Sequence, residues 1–281
     1  MSQFQITVLA DNTVAARTAR GEHGLCYHIK SHDRHILFDT GQGLILADNA
    51  LALDIDLGTV DTIALSHGHY DHTGGLPIVL SAARAPVAIH FHPDALQPKF
   101  HKTRSIGIPP AALAALHAPG VHLHPSRELV EVAPGLFLTG EVPRPHPEES
   151  LAEVFHLDPE GNHIDPLLDD QSLFFDTSQG TVVLLGCAHA GVIHILEHVQ
   201  SLTHHRPIHA VIGGMHLGAA TPTRMQWVVD NLRRIAPKIL VPMHCTGPKA
   251  TAALWTAFPD ACHPGGAGAM YEFELNEGKS T

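Results

Sequence analysis

The segment 66–72 reads Ser-His-Gly-His-Tyr-Asp-His and places three imidazoles and one carboxylate within six residues of chain. His67 and His69 stand two residues apart, so in an extended chain they point to the same side. Asp71 and His72 follow where the pattern turns towards a helix, and they offer a second pair of donors. Imidazole nitrogen and carboxylate oxygen are ligands that zinc, iron and manganese accept. These residue types at this spacing therefore predict a metal site.

The position of this segment argues against a histidine-rich surface loop. The chain contains 25 histidines, so some of them will cluster by chance. The apolar run Thr59–Leu65, however, ends directly at the motif, which is typical of a buried strand. A helix is expected to follow over Gly75–Ala83, with Pro77 tolerated in its first turn. Donor residues between the end of a strand and a helix are typical of sites in α/β proteins.

The remaining pattern predicts two sheets covered by helices. The predicted strands are Phe4–Leu9, Leu25–Lys30, His35–Phe38, Thr59–Leu65, Pro86–Phe91, Leu129–Ala133, Leu136–Thr139, Gln171–Asp176, Thr181–Leu185, 208–212, 238–242 and Ala269–Leu275. The predicted helices are Gly43–Leu53, Gly75–Ala83, Pro110–His117, 191–205 and 222–235. Strands in front, with alternating strands and helices behind, favour an α/β fold of four layers, an αββα sandwich. Residues 1–281 are expected to form a single domain, with an inserted loop or lid at about 93–120.

Composition and charge narrow the class of protein. Apolar residues make up 44% of the chain and charged residues 16%, which is typical of a soluble globular protein. The formal net charge of −11 disfavours binding to nucleic acid or to an anionic membrane surface. No apolar segment resembles a leader or is long enough to span a bilayer, and the four cysteines form no CxxC pair. We therefore expect a cytoplasmic protein with reduced thiols and a small-molecule substrate, without a nucleic-acid or membrane partner.

Several motifs resemble those of one family. The segment 67–72 matches the HxHxDH signature of the metallo-β-lactamase superfamily, and the resemblance covers nearly the whole chain. The other motifs that carry it are FDTG at 38–41, TGEVPR at 139–144, DDQSL at 169–173, GCAHAG at 186–191, GGMHL at 213–217 and PMHCTG at 242–247. Within the superfamily, the chain is similar to the branch of 7,8-dihydropterin-6-yl-methyl-4-(β-D-ribofuranosyl)aminobenzene 5′-phosphate synthase. The resemblance implies a metallo-β-lactamase type of αββα sandwich with a metal-dependent active site.

The resemblance also assigns metal ligands in this chain. A first divalent ion would be held by His67, His69 and His189, and a second by Asp71, His72 and His244. Zinc is the expected metal, with manganese or iron as alternatives. Two such ions about 4 Å apart lower the pKa of a shared water towards neutrality and stabilise charge that develops on oxygen.

Two positions depart from the family pattern. Many members place a bridging aspartate near the end of a late strand, where this chain has Cys187. This cysteine is open to two interpretations, a thiolate ligand or an inert buried residue. Members also usually supply a third histidine earlier in the chain, where this sequence has Thr139-Gly140-Glu141. Glu141 is either an oxygen ligand or a loop residue that orients the substrate.

Further residues are candidates for roles around the metal ions. His216 ends another apolar run and is a candidate ligand, proton donor or structural histidine; with Asp71 it is the candidate catalytic residue. Asp39 is expected to hydrogen-bond the HxHxDH loop rather than to touch the metal. Candidate binders of a substrate phosphate or carboxylate are Lys102, Arg104 and Arg144.

Together these residues favour a metal-dependent hydrolase. An activated water would attack a carbonyl or phosphorus centre in a small molecule, for example a pterin- or phosphate-containing one. The branch resemblance implies an alternative, a transferase that joins a pterin to an aminobenzene ribosyl phosphate. Thioesterase, lactonase and phosphodiesterase activities are further alternatives. Outside the enzymes, the alternative is a metal-free sensor or binding protein on the same fold, which loss of ligand residues would mark.

Overall fold

The computed structural model describes residues 3–31, 33–151 and 153–274, along which strands and helices alternate. The strands are β1 (Gln3–Ala10), β2 (Cys26–Ser31), β3 (Arg34–Phe38), β4 (Thr62–Ala64), β5 (Val87–Phe91), β6 (Phe100–His101), β7 (Arg104–Ser105), β8 (Val121–Pro125), β9 (Val130–Ala133), β10 (Leu136–Leu138), β11 (Leu173–Thr177), β12 (Gly180–Leu185), β13 (Ile208–Gly214), β14 (Ile239–Met243) and β15 (Met270–Glu274). The α-helices are α1 (Leu46–Ala52), α2 (Tyr70–Thr73), α3 (Leu76–Ala82), α4 (Pro110–Ala115), α5 (Val192–Leu202), α6 (Pro222–Ile235) and α7 (Pro248–Ala257).

Two large sheets pack face to face. The first has the strand order β15-β1-β2-β3-β4-β5-β8, and the second has the order β14-β13-β12-β11-β10-β9. Strands β3, β4, β5 and β8 run parallel in the first sheet, as do β12, β13 and β14 in the second. The apolar core between the sheets contains Ile6 and Val8 from β1 and Phe175 and Val182 from the second sheet.

Helices cover the outer face of each sheet. Residues of α1, α3 and α4 share an apolar core with the first sheet, in which Leu46 and Val79 meet Ile63. Residues of α5, α6 and α7 share another with the second sheet, in which Ile195 and Leu232 are buried. The predicted four-layer αββα sandwich is therefore confirmed.

Strand β12 shows why the sequence folds in this way. Its run Gly180–Leu185 is apolar almost throughout, and all six residues are buried. Val182 and Leu184 face the core between the sheets, whereas Val183 and Leu185 face the helices. A parallel strand covered on both faces needs such a continuous apolar run. The loop after it is therefore held at a fixed place at the edge of the sheet.

The region 93–120 has two parts. Strands β6 and β7 form a small hairpin, and Phe100 exchanges backbone hydrogen bonds of 2.7 and 2.9 Å with His156 in the connection 143–170. The following helix α4 instead packs in the outer helix layer, where Ala112 is fully buried. The end of the hairpin lies near the HxHxDH motif, because the carbonyl of Ile106 accepts the backbone N–H of Tyr70 over 2.9 Å, and a lid function for it stays a prediction.

A few elements differ from the sequence prediction. Helix α7 was not predicted, because it is short and four of its ten residues are alanine, which give no clear apolar face. The predicted C-terminal strand Ala269–Leu275 begins at Met270, and Leu275 lies outside the described residues. In the described part of the chain, no helix combines the length and the apolar character needed to cross a bilayer.

Candidate metal centre

The candidate ligands lie where parallel strands of the two sheets end. The HxHxDH motif follows β4 of the first sheet and turns into the short helix α2. His189 follows β12 and His244 follows β14, both in the second sheet. Because the two sheets pack face to face, residues distant in the sequence meet at this common edge.

His67, His69 and His189 form the first set of candidate ligands. One ring nitrogen from each residue lies within 4.8 Å of the others, and all three side chains are buried. His67 Nε2 and His69 Nδ1 are 2.9 Å apart. Within the described residues, His69 Nε2 and both ring nitrogens of His189 are buried without a hydrogen-bond partner. Burial of polar atoms without hydrogen-bond partners costs free energy, and binding of a cation by these nitrogens would offset that cost. The cluster is therefore typical of a metal site.

Asp71, His72 and His244 form the second set. Asp71 Oδ2 lies 3.4 Å from His244 Nε2 and 3.8 Å from His72 Nε2. The two histidine Nε2 atoms are 3.2 Å apart. Ligand atoms at roughly 2.0–2.1 Å from a tetrahedral zinc ion are about 3.3 Å from one another. The donor atoms of the second set therefore fit one such ion.

The protonation of the first set suits metal binding. Burial lowers the pKa of His67 and His189 well below the usual range, and it lowers that of His69 to about 3. Neighbouring imidazoles lower the pKa of His67 and His189 further. At neutral pH these rings are unprotonated, which is the form that binds metal.

Asp39 orients His72 in the second set. Burial by itself lowers the pKa of His72, but the carboxylates of Asp39 and Asp71 outweigh it and raise that pKa to about 9. His72 Nδ1 donates to Asp39 Oδ2 over 2.6 Å, which leaves Nε2 facing His244. The other Asp39 oxygen accepts the backbone N–H of Ser66 over 2.7 Å. Asp39 thus hydrogen-bonds the motif loop and fixes the ring, and the two carboxylates favour a cation beside it.

His244 is held by the loop after β1. Its backbone N–H donates to Asp11 Oδ1 over 2.9 Å, and its Nδ1 donates to Asn12 Oδ1 over 2.8 Å. Its backbone φ is +49°, a left-handed value that costs about 1–3 kcal/mol in a residue other than glycine. The same region of φ is occupied by Asp39, Ala188 and His216. These four positions border the metal centre, where such strain is common in proteins, whereas others with positive φ, such as Asp54 and Ala236, lie elsewhere.

Gly68 allows the motif to pack closely on its surroundings. A Cβ at this position would collide with the carbonyl oxygen of Ala95. The Gly68 N–H donates to Asp169 Oδ2 over 2.8 Å, and Asp169 also accepts from Lys99 Nζ over 2.9 Å. Lys99 is fully buried and donates to Asp165 over 2.9 Å as well. This buried ion cluster ties the regions 93–120 and 143–170 to the metal loop.

Cys187 and His216 border the two sets. Cys187 is 4% exposed, and its Sγ lies 3.2 Å from His72 Nε2, a separation that suits a shared ion. The His216 ring packs on His189 with centroids 4.3 Å apart, and its Nε2 lies 3.0 Å from Glu153 Oε2. Burial lowers the pKa of His216, but the nearby Cys245 and Glu153 outweigh burial and raise it to about 9.

Three of the predicted outer residues do not join this cluster. Glu141 lies 2.6 Å from Arg127 Nη1 and 3.0 Å from His92 Nε2, and these partners hold it outside the candidate metal groups formed by the described residues. Arg144 donates to two backbone carbonyls of the connection 143–170. Lys102 is exposed at the turn between β6 and β7. The places of these three side chains could not be predicted from the sequence. Glu141 and Arg144 are held by partners distant along the chain, and Lys102 lies in a hairpin that was not predicted.

Arg104 does reach the metal centre. A cavity of about 280 Å³ opens onto both sets of ligands, and Arg104 is part of its wall. Its guanidinium carbon is 5.4 Å from the centre of the Tyr70 ring, and Nη2 donates to the Tyr70 hydroxyl over 3.5 Å. An exposed cation at the mouth of the cavity suits an anionic group on a substrate.

Other cavity residues were not singled out from the sequence. They are His23, Tyr70, His101, Ile106, Glu153, Phe155 and Cys245. His23 Nε2 lies 3.2 Å from Asp71 Oδ2, yet its loop has no pattern that separates it from the other histidines. Cys245 had one available signal, since it directly follows His244 in the motif at 242–247.

An αββα sandwich with imidazole and carboxylate donors at the ends of its strands is typical of a metal-binding protein. Comparison with known sequences identifies the superfamily. The sequence model of the metallo-beta-lactamase superfamily matches residues 19–244. The chain therefore belongs to this superfamily.

Two proteins of Methanocaldococcus jannaschii are similar to the chain over most of its length. An uncharacterized protein is 32% identical over 250 residues, which cover 89% of this chain and 93% of that protein. The other is 7,8-dihydropterin-6-methyl-4-(beta-D-ribofuranosyl)-aminobenzene-5'-phosphate synthase, 26% identical over 270 residues, or 90% of each chain. These similarities confirm the predicted superfamily and the resemblance to the synthase branch.

Solved structures agree with this assignment. The crystal structure of Tm1679, described as a metal-dependent hydrolase of the beta-lactamase superfamily, is 27% identical with a TM-score of 0.82, covering 96% of this chain and 99% of that one. The metallo-beta-lactamase fold protein YhfI from Bacillus subtilis has a TM-score of 0.61 at 14% identity, covering 97% of this chain and 100% of that one. The second likeness shows the fold alone.

Proposed function

We propose that this chain is a metal-dependent hydrolase of a small molecule, with two divalent metal ions, of which zinc is the first choice. The observation that carries the proposal is the pair of adjacent donor sets. Three buried imidazoles form one set, and a carboxylate with two imidazoles forms the other. The orphaned ring nitrogens of His69 and His189 support a cation in the first set. The free thiols suit a reducing, cytoplasmic setting.

The residues around the donors supply the remaining steps. Divalent ions held by these two donor sets would activate water and would stabilise charge that develops on oxygen. Arg104 at the cavity mouth binds an anionic group of the substrate and orients it. Cys245 and Glu153 raise the pKa of His216 to about 9, which favours its protonated form. Its Nδ1, which has no partner among the described residues, donates a proton to the leaving atom.

A second candidate function rests on one relative. The 26% identical protein from Methanocaldococcus jannaschii carries the name of a synthase that makes a dihydropterin-methyl-ribofuranosyl-aminobenzene phosphate. Under this alternative, the same cavity would bind two organic substrates, and Arg104 would hold the phosphate of one of them. Formation of a joined product, without hydrolysis of any substrate offered, would favour the synthase.

Replacement of one ligand tests the hydrolase proposal. We expect His67→Ala to lose bound metal and to lose hydrolysis of phosphodiester, thioester and lactone substrates together. The loss should exceed the roughly 10–100-fold that is typical when an outer partner of a ligand is removed. Elemental analysis and initial rates provide the two measurements.

The matched control is His122→Ala, which removes an exposed histidine from strand β8. This variant should keep the metal content and the rate of the parent protein. If His67→Ala retained both metal and activity, the proposal would be wrong.

A further inference from the structure

A second cavity adjoins the metal centre. It measures about 570 Å³ and lies between the connection 143–170 and the start of α5. Three residues line both this cavity and the smaller one that contains the candidate ligands: Glu153, Phe155 and His189. Phe155 is 7% exposed, and its ring packs on His189 with centroids 5.5 Å apart. A molecule at the metal centre can therefore extend past Phe155 into the larger space.

The charged side chains in the wall of this cavity are already paired within the protein. Arg144 donates to two backbone carbonyls, and Asp165 accepts from Lys99 and from a backbone N–H. Glu149 accepts two backbone N–H groups at the start of α5. Glu153 is bound to His216. Each of these charged groups thus has at least one partner within the described part of the chain, and Arg144 keeps further N–H donors at the exposed side of the cavity.

The imidazoles of the wall are paired in the same way. His194 Nδ1 donates to a backbone carbonyl over 2.7 Å, and its Nε2 accepts the backbone N–H of His146 over 2.9 Å. His146 Nε2 lies 2.7 Å from Glu197 Oε2. Of the wall imidazoles, only His189 keeps both ring nitrogens without partners among the described residues, and they lie at the metal centre.

Apart from Ser150, the rest of the wall is apolar. It is formed largely by proline, leucine, isoleucine, valine and phenylalanine, such as Leu151, Phe155, Ile164 and Leu167. An apolar cavity of about 150 Å³ is enough to hold a benzene ring. A space of about 570 Å³ with Leu151, Phe155, Ile164 and Leu167 in its wall therefore suits a group of one or two rings.

We propose that this cavity is a substrate subsite for an apolar, ring-bearing substituent, and that Phe155 separates it from the metal centre. The inference rests on the proposed hydrolase function, because it requires the reacting group to lie at the candidate ligands. The substituent leaves water on entering the cavity, and this burial of apolar area selects ring-bearing substrates over small ones.

Binding of two phosphonates to the zinc-loaded protein tests the subsite. Methylphosphonate and naphthylphosphonate carry the same anionic group, and only the second carries rings. We expect calorimetric titration to show naphthylphosphonate binding at least about tenfold more tightly, because its rings bury apolar area. Equal affinity of the two compounds would overturn the inference.

Bulky substitutions at the rim of the cavity test whether the ring of naphthylphosphonate binds there. Ile164 is 66% exposed and lines the cavity, so Ile164→Trp should fill the space, remove the preference for the ring and leave methylphosphonate binding unchanged. Ser150→Trp, at another exposed position in the wall, should act in the same way. The control is Leu168→Trp, since Leu168 is 37% exposed and does not line the cavity. A preference that survived both rim variants would place the ring elsewhere and contradict the proposal.

The same titrations separate this inference from the proposed function. Zinc-dependent binding of both compounds without a preference would overturn the subsite and leave the metal chemistry intact. Failure of the protein to bind zinc, or failure of both phosphonates to bind in a zinc-dependent way, would contradict the hydrolase proposal and the subsite with it.

Discussion

At the scale of single residues, the donor atoms of Asp71, His72 and His244 lie 3.2 to 3.8 Å apart, which fits one metal ion. The same holds for Cys187, a position at which the sequence departs from the superfamily pattern. Its Sγ is 3.2 Å from His72 Nε2, as close as the Nε2 atom of His244. Burial raises the pKa of the Cys187 thiol, so only a strong local positive charge would keep it as a thiolate. A divalent ion supplies such a charge.

We therefore predict that Cys187 binds the second ion. Cobalt-substituted protein should show a thiolate-to-cobalt charge-transfer absorption, and Cys187→Ser should abolish it while the first ion remains bound. Cys262→Ser is the control, because Cys262 is also buried, at 5% exposure, but lies in the helical layer of the second sheet. An unchanged absorption in Cys187→Ser would identify Cys187 as an inert buried residue.

The local part of the site could be predicted from the sequence, and the outer part could not. Residues 67–72 are adjacent in the chain, so their spacing alone shows that the donors meet. His189 and His244 each follow an apolar strand, which placed them at the same edge once the fold class was known. Glu153 and Phe155 reach the centre through a long connection without helical or strand periodicity, and no local pattern indicates where such a segment lies.

At the scale of elements, the connection 143–170 determines how the cavities are closed. Glu149 fastens it to helix α5, where its side chain accepts the backbone N–H groups of Ile193 and His194 over 3.1 and 2.9 Å. Burial raises the pKa of Glu149 to about 7, although these hydrogen bonds and the charge of Arg224 act in the opposite direction. The prediction of an inserted lid at 93–120 did not include this second segment, because it contains no regular pattern.

The raised pKa predicts a pH-dependent stability. The folded protein holds the Glu149 proton up to about pH 7, whereas the unfolded chain releases it near the ordinary value of 4.5. Between these values the unfolded state binds fewer protons, so this residue makes the free energy of unfolding decrease as pH rises. The decrease should be on the order of 2–3 kcal/mol.

Glu149→Gln should remove this contribution, because the amide stays neutral at every pH. Its one oxygen can accept only one of the two helix N–H groups, so the variant should also be less stable than the parent by an amount that does not change with pH. Urea unfolding at pH 5 and pH 8 should show a smaller loss of stability in this variant than in the parent protein. Glu148→Gln, at the exposed neighbouring position, should behave like the parent. An equal loss in all three proteins would show that Glu149 does not titrate in this range.

At the scale of the whole molecule, the candidate centre lies between the two sheets and draws ligands from both. Residues 67–72 come from the first sheet, and His189 and His244 come from the second. The order of strands and helices was enough to predict the four layers, because apolar runs and helix periodicity are properties of the sequence. The size and position of the cavities depend on packing between distant segments and could not be predicted in this way.

The most direct test of the account is to locate the metal ions. Crystals grown with zinc should give two anomalous-scattering peaks per chain at the zinc absorption edge. One peak should lie between His67, His69 and His189, and the other between Asp71, His72 and His244. Absence of a peak at either position, or zinc bound only elsewhere on the molecule, would contradict the proposed two-ion centre.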